Sequence, residues 1–110
     1  TKHLMDARRL ALMKPTALLV NIARGALVDE EALAQALVEG RIGGAGLDVF
    51  AGDTLEGHDW NAPVYSLPNV VTTPHVAGAT DGTSRKRAQA VAENVDRIAN
   101  GVPALYRIDE

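Results

Sequence analysis

Short apolar runs alternate with helical patterns along this chain, and this alternation restricts its possible folds more than any other feature. Three runs have the length and the uniformly apolar or glycine-rich character of buried strands. Three other segments place apolar residues at the three- and four-residue spacing of a helix face. The predicted order is a helix at residues 1–13, a strand at 16–22, a helix at 29–40, strands at 43–50 and 69–74, and a helix at 80–100.

This order of elements predicts an α/β fold. Parallel strands need crossover connections and helices must cover both sheet faces, so we expect a three-layer arrangement with a short parallel sheet and flanking helices. With three strands, either 16–22 or 69–74 must be an edge. An unpaired apolar edge is a liability that a complete domain would cover. We therefore expect that further strands are missing from this chain or are supplied by a partner.

Composition argues against several classes of function. The 110 residues carry a net charge of −3 and no cysteine, whereas nucleic acids and anionic membrane surfaces select clustered basic residues. The basic residues 85–87 are better explained as a solvated helix face. No thiolate site or disulfide can form, and His58 lacks further metal ligands at useful spacing, so no metal site is predicted. No apolar run approaches the roughly 20 residues of a membrane span, and a cytoplasmic location fits.

Charged side chains follow each of the three predicted strands. Arg24 follows the first, Asp48 and Asp53 follow the second, and His75 follows the third. Ligands of open parallel sheets bind beyond the carboxyl ends of the strands, so we expect these side chains to converge on one crevice. A guanidinium, carboxylates and an imidazole can hold an anionic substrate and move a proton at neutral pH. Arg24 is then expected to bind a substrate carboxylate.

Each of these residues also has an ordinary structural interpretation. Arg24 can pair with Asp29, and His75 can be a solvated loop residue. Asp48 can cap a strand end, and Asp53 stands beside a glycine as a turn residue would. A functional site is favoured because polar groups of complementary type stand at all three strand ends.

Three ordered motifs resemble those of a known family. The segments "VNIARGALVDEEAL", "GAGLDVF" and "NVVTTPHVAGAT" look like the NAD-binding domain of the D-isomer-specific 2-hydroxyacid dehydrogenases. The resemblance covers nearly the whole chain and implies a partial Rossmann-like fold. It also implies an oxidoreductase that uses NAD, with NADP as the alternative. The implied reaction is hydride transfer between nicotinamide and a small D-2-hydroxy acid or 2-keto acid, as in glyoxylate/hydroxypyruvate reductase or phosphoglycerate dehydrogenase.

The resemblance also implies a catalytic role for three residues. Arg24 would bind and orient the substrate's carboxylate and carbonyl, and His75 would exchange a proton with the hydroxyl as hydride moves. Asp53 stands where the family has a glutamate that pairs with the histidine and keeps it protonated. Aspartate is one methylene shorter, so Glu56 is the alternative partner, and Thr54 replaces the proline that usually follows the acid.

For the cofactor, the resemblance implies that Asp48 receives the nicotinamide carboxamide and that main chain around Ala23 and Gly78 lines the same ring. The family's glycine-rich phosphate turn, ribose-binding acid and substrate domain would lie before Thr1. Residues 1–110 then correspond to the C-terminal half of a dinucleotide-binding domain. The expected partners are a small 2-keto or 2-hydroxy acid and a second copy of the chain, with no nucleic acid and no membrane. A non-catalytic, nucleotide-sensing module of the same fold, similar to a corepressor, is the alternative.

Overall fold

The computed structural model describes residues 2–52 and 59–108 of the chain. The chain divides into two compact units, Thr1–Ala77 and Gly78–Glu110. Among the described residues, the first unit has two helices, three strands and two single turns of 3-10 helix, and the second has one helix. In chain order the elements are α1 (Ala7–Leu10), β1 (Leu18–Asn21), a turn at Gly25–Leu27, α2 (Glu30–Val38), β2 (Gly44–Leu47), a turn at Pro63–Ser66, β3 (Val70–Thr72) and α3 (Asp81–Ala99).

The predicted short parallel sheet is confirmed. Its strand order is β1-β2-β3, and both pairs are parallel. Leu18 pairs with Gly44 and Ala45 pairs with Val70, so the three strands end together at one edge. Each strand is shorter than its apolar run predicted. Within the described residues, β1 and β3 each have one unpaired edge, as the three-strand count required.

The helix predicted at residues 1–13 is wrong in extent, because α1 covers four residues only. Asp6 caps α1 by accepting a hydrogen bond from the Arg9 amide at 2.9 Å. Before it, residues 2–4 form a turn and Met5 makes a β-bridge with Val28, in which the Met5 amide donates to the Leu27 carbonyl at 2.9 Å. Backbone pairing with the segment after β1 therefore prevails over helical spacing. Of the predicted apolar face of this helix, only Leu10 is buried.

The second helix forms where the sequence predicted it. The Asp29 carboxylate accepts a hydrogen bond from the Ala32 amide at 3.1 Å and thereby caps α2. Glu30 and Glu31 lie in its first turn, where the helix dipole favours acidic groups. Gly40 takes a positive φ of 67° just after the helix and ends it, as glycine commonly does.

The core of the first unit lies on one face of the sheet. Its fully buried large side chains are Leu10, Leu33, Ile42, Leu47 and Val64. On the other face the side chains of Leu18, Val20 and Val71 are exposed by 70%, 68% and 68%. A parallel sheet is normally covered on both faces, so this apolar face is set up for a covering layer.

The second unit consists of α3 and the segment after it. Thr80 caps the helix by accepting from the Thr83 amide at 3.1 Å. After the helix, Arg97 Nε donates to the Pro103 carbonyl at 2.7 Å, and Asn94 bonds both backbone groups of Leu105. The predicted apolar stripe forms, but Val91, Val95 and Ile98 are each more than half exposed. None of the helices in the described part of the chain has the length and apolar character needed to cross a bilayer.

Candidate active site

Arg24 stands in the loop that follows β1. Its backbone is extended, with φ −148° and ψ 138°, and the Gly25–Leu27 turn begins directly after it. The residue is exposed, and its Nη1 donates to the Ala23 carbonyl at 2.7 Å. The alternative pairing of Arg24 with Asp29 is not formed, because the Asp29 carboxylate caps α2 and lies 3.6 Å from Nδ1 of His3. Within residues 2–52 and 59–108, no carboxylate pairs with the guanidinium, which is exposed and available to an anion.

Gly25 brings this loop against the turn after β2. An added Cβ at Gly25 would lie 1.7 Å from the Phe50 carbonyl oxygen and 2.7 Å from the Ala51 nitrogen. Only a residue without a side chain permits this approach, since atoms cannot come so close without bonding. The loop carrying Arg24 is thus in backbone contact with the segment that follows Asp48.

Asp48 is a buried carboxylate at the end of β2 and is only 4% exposed. Its Oδ1 accepts from the Thr73 hydroxyl and from the Val76 amide at 2.9 Å, and its Oδ2 accepts from the Ala77 amide at 3.0 Å. These donors favour the ionised form. The Thr73 hydroxyl, followed by the two amides, holds the pKa of Asp48 below its ordinary value of 3.8, against the opposing effect of burial.

His75 lies in the loop that wraps around this carboxylate. Its φ is 57°, a left-handed conformation that is uncommon for residues other than glycine, and its amide donates to the Thr73 carbonyl at 2.9 Å. Its positive charge, when protonated, further lowers the pKa of Asp48. Asp48 also donates its own amide to the Asn21 carbonyl at 3.0 Å. Asp48 therefore joins the ends of all three strands.

The remaining predicted site residues are Asp53, Ala23 and Gly78. Asp53, with its alternative Glu56, lies outside the described residues. The Ala23 carbonyl accepts a hydrogen bond from the Arg24 side chain, and the Ala23 amide donates one to Asn21 Oδ1 at 3.2 Å. Gly78 is the first residue of the second unit. Among the described residues, no three His, Asp or Glu side chains are grouped as a metal ion would need.

A second network lies beside the turn after β2. The Glu30 carboxylate accepts from the Ala51 amide at 2.8 Å and from the Tyr65 hydroxyl. Burial, followed by the Glu30 hydrogen bond, raises the pKa of Tyr65 above its usual range. The rings of Phe50 and Trp60 have centroids 4.8 Å apart, and Tyr65 lies 5.5 Å from Phe50. Glu30 thus connects α2 to both the turn after β2 and the segment before β3.

Comparison with known proteins places this geometry in a family. The family model of the D-isomer specific 2-hydroxyacid dehydrogenase NAD binding domain matches residues 1–77. The chain belongs to this family. A glyoxylate reductase of Thermococcus gammatolerans is 50% identical over 92% of this chain, and a glyoxylate/hydroxypyruvate reductase B of Pectobacterium carotovorum subsp. carotovorum is 46% identical over 92%. The chain spans 29% and 31% of the lengths of these relatives.

A solved member of the family has the same fold. The D-isomer specific 2-hydroxyacid dehydrogenase of Lactobacillus delbrueckii ssp. bulgaricus, in its NAD-complexed form, superposes with a TM-score of 0.83 at 35% identity. The superposition covers 99% of this chain and 36% of that one. The predicted family and its Rossmann-like α/β fold are therefore confirmed.

Three residues of this candidate site were missed by the sequence analysis. Asn21 was counted as part of an apolar strand, yet its side chain bonds to the Arg24 loop. Thr73 was assigned to a strand, yet its hydroxyl bonds to Asp48. Glu30 was predicted only as a residue of the helix at 29–40, yet its carboxylate bonds to Ala51 and Tyr65. An asparagine inside an apolar run was the one signal available, because a buried amide must find hydrogen-bond partners.

Proposed function

We propose that this chain is the part of an NAD-dependent oxidoreductase that carries the catalytic side chains. The proposed enzyme transfers hydride between nicotinamide and a small 2-keto or D-2-hydroxy acid. Glyoxylate and hydroxypyruvate are the substrates we propose first, with a substrate of the phosphoglycerate dehydrogenase type next. The supporting observation is the joining of three strand ends around Asp48, with an open guanidinium on one loop and an imidazole on another. The activity named for the relatives agrees with this arrangement.

Arg24 and His75 have complementary tasks in the proposed reaction. Reduction of a 2-keto acid builds negative charge on the carbonyl oxygen. A fixed guanidinium and a protonated imidazole directed at that oxygen stabilise the transition state more than the substrate. Arg24 also binds the carboxylate, for which a planar guanidinium is well suited. His75 gives its proton to the forming hydroxyl, and takes it back in the oxidative direction.

Asp53 is proposed to pair with His75 and to keep it protonated, with Glu56 as the alternative. A carboxylate near an imidazolium favours the charged form, which extends the pH range in which the acid is available. Because aspartate is one methylene shorter than glutamate, the proposed pair would be longer, bridged by water or closed by a shift of the backbone.

NAD is the cofactor we propose, with NADP as the alternative, and it would supply or accept the hydride when bound. Asp48 Oδ2 accepts one hydrogen bond, from Ala77, and a carboxylate oxygen can accept two. This oxygen fits a carboxamide donor, so we assign Asp48 to the nicotinamide amide. Main chain at Ala23 and Gly78 would line the ring.

We also propose that residues 1–110 are the C-terminal half of a dinucleotide-binding domain. The phosphate-binding turn and the substrate domain would then come from other residues of the same protein. The exposed apolar sheet face and the unpaired edges of β1 and β3 agree with a sheet that is completed elsewhere. A cytoplasmic homodimer acting on small acids, without nucleic acid or membrane, is the assembly we propose.

Steady-state reduction of glyoxylate, hydroxypyruvate and pyruvate by the complete enzyme tests this function. We expect Arg24→Ala and His75→Ala each to lower kcat/KM by roughly a hundredfold or more, the range found for general acids and oriented cations. Arg8→Ala removes the same type of side chain as Arg24→Ala from an exposed position in α1, and it should leave kcat/KM unchanged. Equal activity of wild type and both site variants would reject the enzyme and favour the corepressor-like module.

A further inference from the structure

We infer that Asn21 is a positioning residue for Arg24, an inference that rests on the proposed function. Asn21 is the last residue of β1 and is 6% exposed. Both polar ends of its side chain bond to the following loop: Nδ2 donates to the Arg24 carbonyl at 2.9 Å, and Oδ1 accepts from the Ala23 amide at 3.2 Å. The side chain therefore spans the loop that presents the guanidinium.

An asparagine is suited to this task because it combines a donor and an acceptor on a short stem. A leucine of similar size would leave the Ala23 amide and the Arg24 carbonyl without these partners. An aspartate would oppose the Arg24 carbonyl with a second acceptor. The two hydrogen bonds hold the Ile22–Ala23 and Arg24–Gly25 peptides, one on each side of the Ala23–Arg24 peptide, and so fix the direction in which the Arg24 side chain leaves the backbone.

The side chain of Asn21 acts on the Arg24 loop and not on the sheet. The strand pairing of this residue uses its backbone, whose carbonyl accepts from the Asp48 amide at 3.0 Å. Loss of the side chain leaves that pairing available. The Arg24 loop therefore loses its two hydrogen bonds to the Asn21 side chain. The carboxyl edge of β2 and the loop of His75 keep their hydrogen bonds to Asp48.

The test is a double-mutant cycle in the complete enzyme. We expect Asn21→Ala to lower kcat/KM for glyoxylate roughly tenfold, mainly through KM for glyoxylate, because small displacements of a substrate-binding group are costly. The KM for NADH should not change. In an Arg24→Ala background, Asn21→Ala should produce no further loss, because there is no guanidinium left to position.

Asn69→Ala is the matched control. The Asn69 amide also donates to a backbone carbonyl, that of Gly43 at 3.5 Å, but at the opposite end of the sheet. Added to the wild type or to Arg24→Ala, this substitution should leave kcat/KM unchanged from the value of that background. An equal loss from Asn21→Ala with and without Arg24, or no loss at all, would overturn the inference.

Hydrogen exchange of the Ala23 amide provides a readout that is independent of turnover. We expect this amide to be protected in the wild-type enzyme and to exchange faster in Asn21→Ala. If the wild-type enzyme reduces no keto acid, the proposed function fails. Protection of the Ala23 amide still decides whether Asn21 holds the loop by this hydrogen bond. An unprotected Ala23 amide in the wild type would overturn the positioning role of Asn21, even if the Asn21→Ala variant does not fold.

Discussion

At the scale of single residues, Gly25 is the position least able to accept a side chain. Its virtual Cβ overlaps the Phe50 carbonyl, so Gly25→Ala must displace backbone on one loop or the other. We expect a loss of unfolding free energy of about 1–3 kcal/mol, the usual cost of overpacking, measured by denaturant unfolding. Gly82→Ala is the control, since nothing lies within 4 Å of its virtual Cβ in α3. A Gly25→Ala protein as stable as Gly82→Ala would contradict the close contact.

Thr73 is expected to control the ionisation of Asp48. Because the pKa of Asp48 is lowered on folding, the ionised carboxylate stabilises the folded state above its ordinary pKa of 3.8. That stabilisation disappears as the pH falls through the lowered pKa. Thr73→Val removes the largest cause of the lowering, so the pKa of Asp48 should rise.

The measurement for Thr73→Val is unfolding free energy as a function of pH, with a carboxyl NMR titration of Asp48. The wild type should be more stable than the variant above pH 5, roughly, and the difference should shrink as the pH falls below the wild-type pKa. Thr72→Val makes the same change at an exposed neighbour and should leave the titration unaltered. An unchanged Asp48 titration in Thr73→Val would show that the hydroxyl does not hold the pKa down.

At the scale of elements, the first turn of α2 supports the turn after β2. The Glu30 carboxylate accepts from the Ala51 amide and from the Tyr65 hydroxyl, so one side chain joins three segments. We expect the Ala51 amide to exchange with solvent faster in Glu30→Ala than in the wild type. Tyr65→Phe keeps the ring against Phe50 and should retain that protection.

Glu31→Ala is the matched control for Glu30. Glu31 lies in the same helical turn, and it too is acidic near the helix N-terminus, but it is exposed. If the helix dipole were the main role of Glu30, both alanine variants would lower stability alike and neither would alter Ala51. An Ala51 exchange rate that is the same in Glu30→Ala and in the wild type would reject the hydrogen-bonded link between α2 and this turn.

The elements themselves were largely predictable. Apolar runs between helical patterns gave three parallel strands, and Asp29 and Gly40 marked both ends of α2 correctly. The first helix was predicted at three times its observed length, because the spacing of apolar residues cannot register a competing backbone partner. That partner, the segment at Ala26–Val28, is distant in sequence and becomes available only on folding.

At the scale of the whole molecule, one face of a three-stranded sheet is left apolar and exposed. In an isolated chain of these 110 residues, Leu18, Val20 and Val71 would be exposed to water. We expect that chain to bind NADH weakly or not at all, to show no turnover, and to self-associate. Titration with NADH and sedimentation at several concentrations are the measurements. Micromolar NADH binding by a monomer of the isolated chain would contradict the proposed division of the domain.

The sequence by itself determined the α/β class and the family, and it predicted the charged side chains at the strand ends, because strand length, helical spacing and ordered motifs are local properties. Only the tertiary structure decided how those side chains are held. Three contacts join residues more than twenty positions apart. They are the hydrogen bond from Thr73 to Asp48, the close approach of Gly25 to Phe50 and the hydrogen bond from Ala51 to Glu30. Hydrogen bonds and steric contacts act at a few ångströms in space, whereas spacing along the chain records only neighbours in sequence.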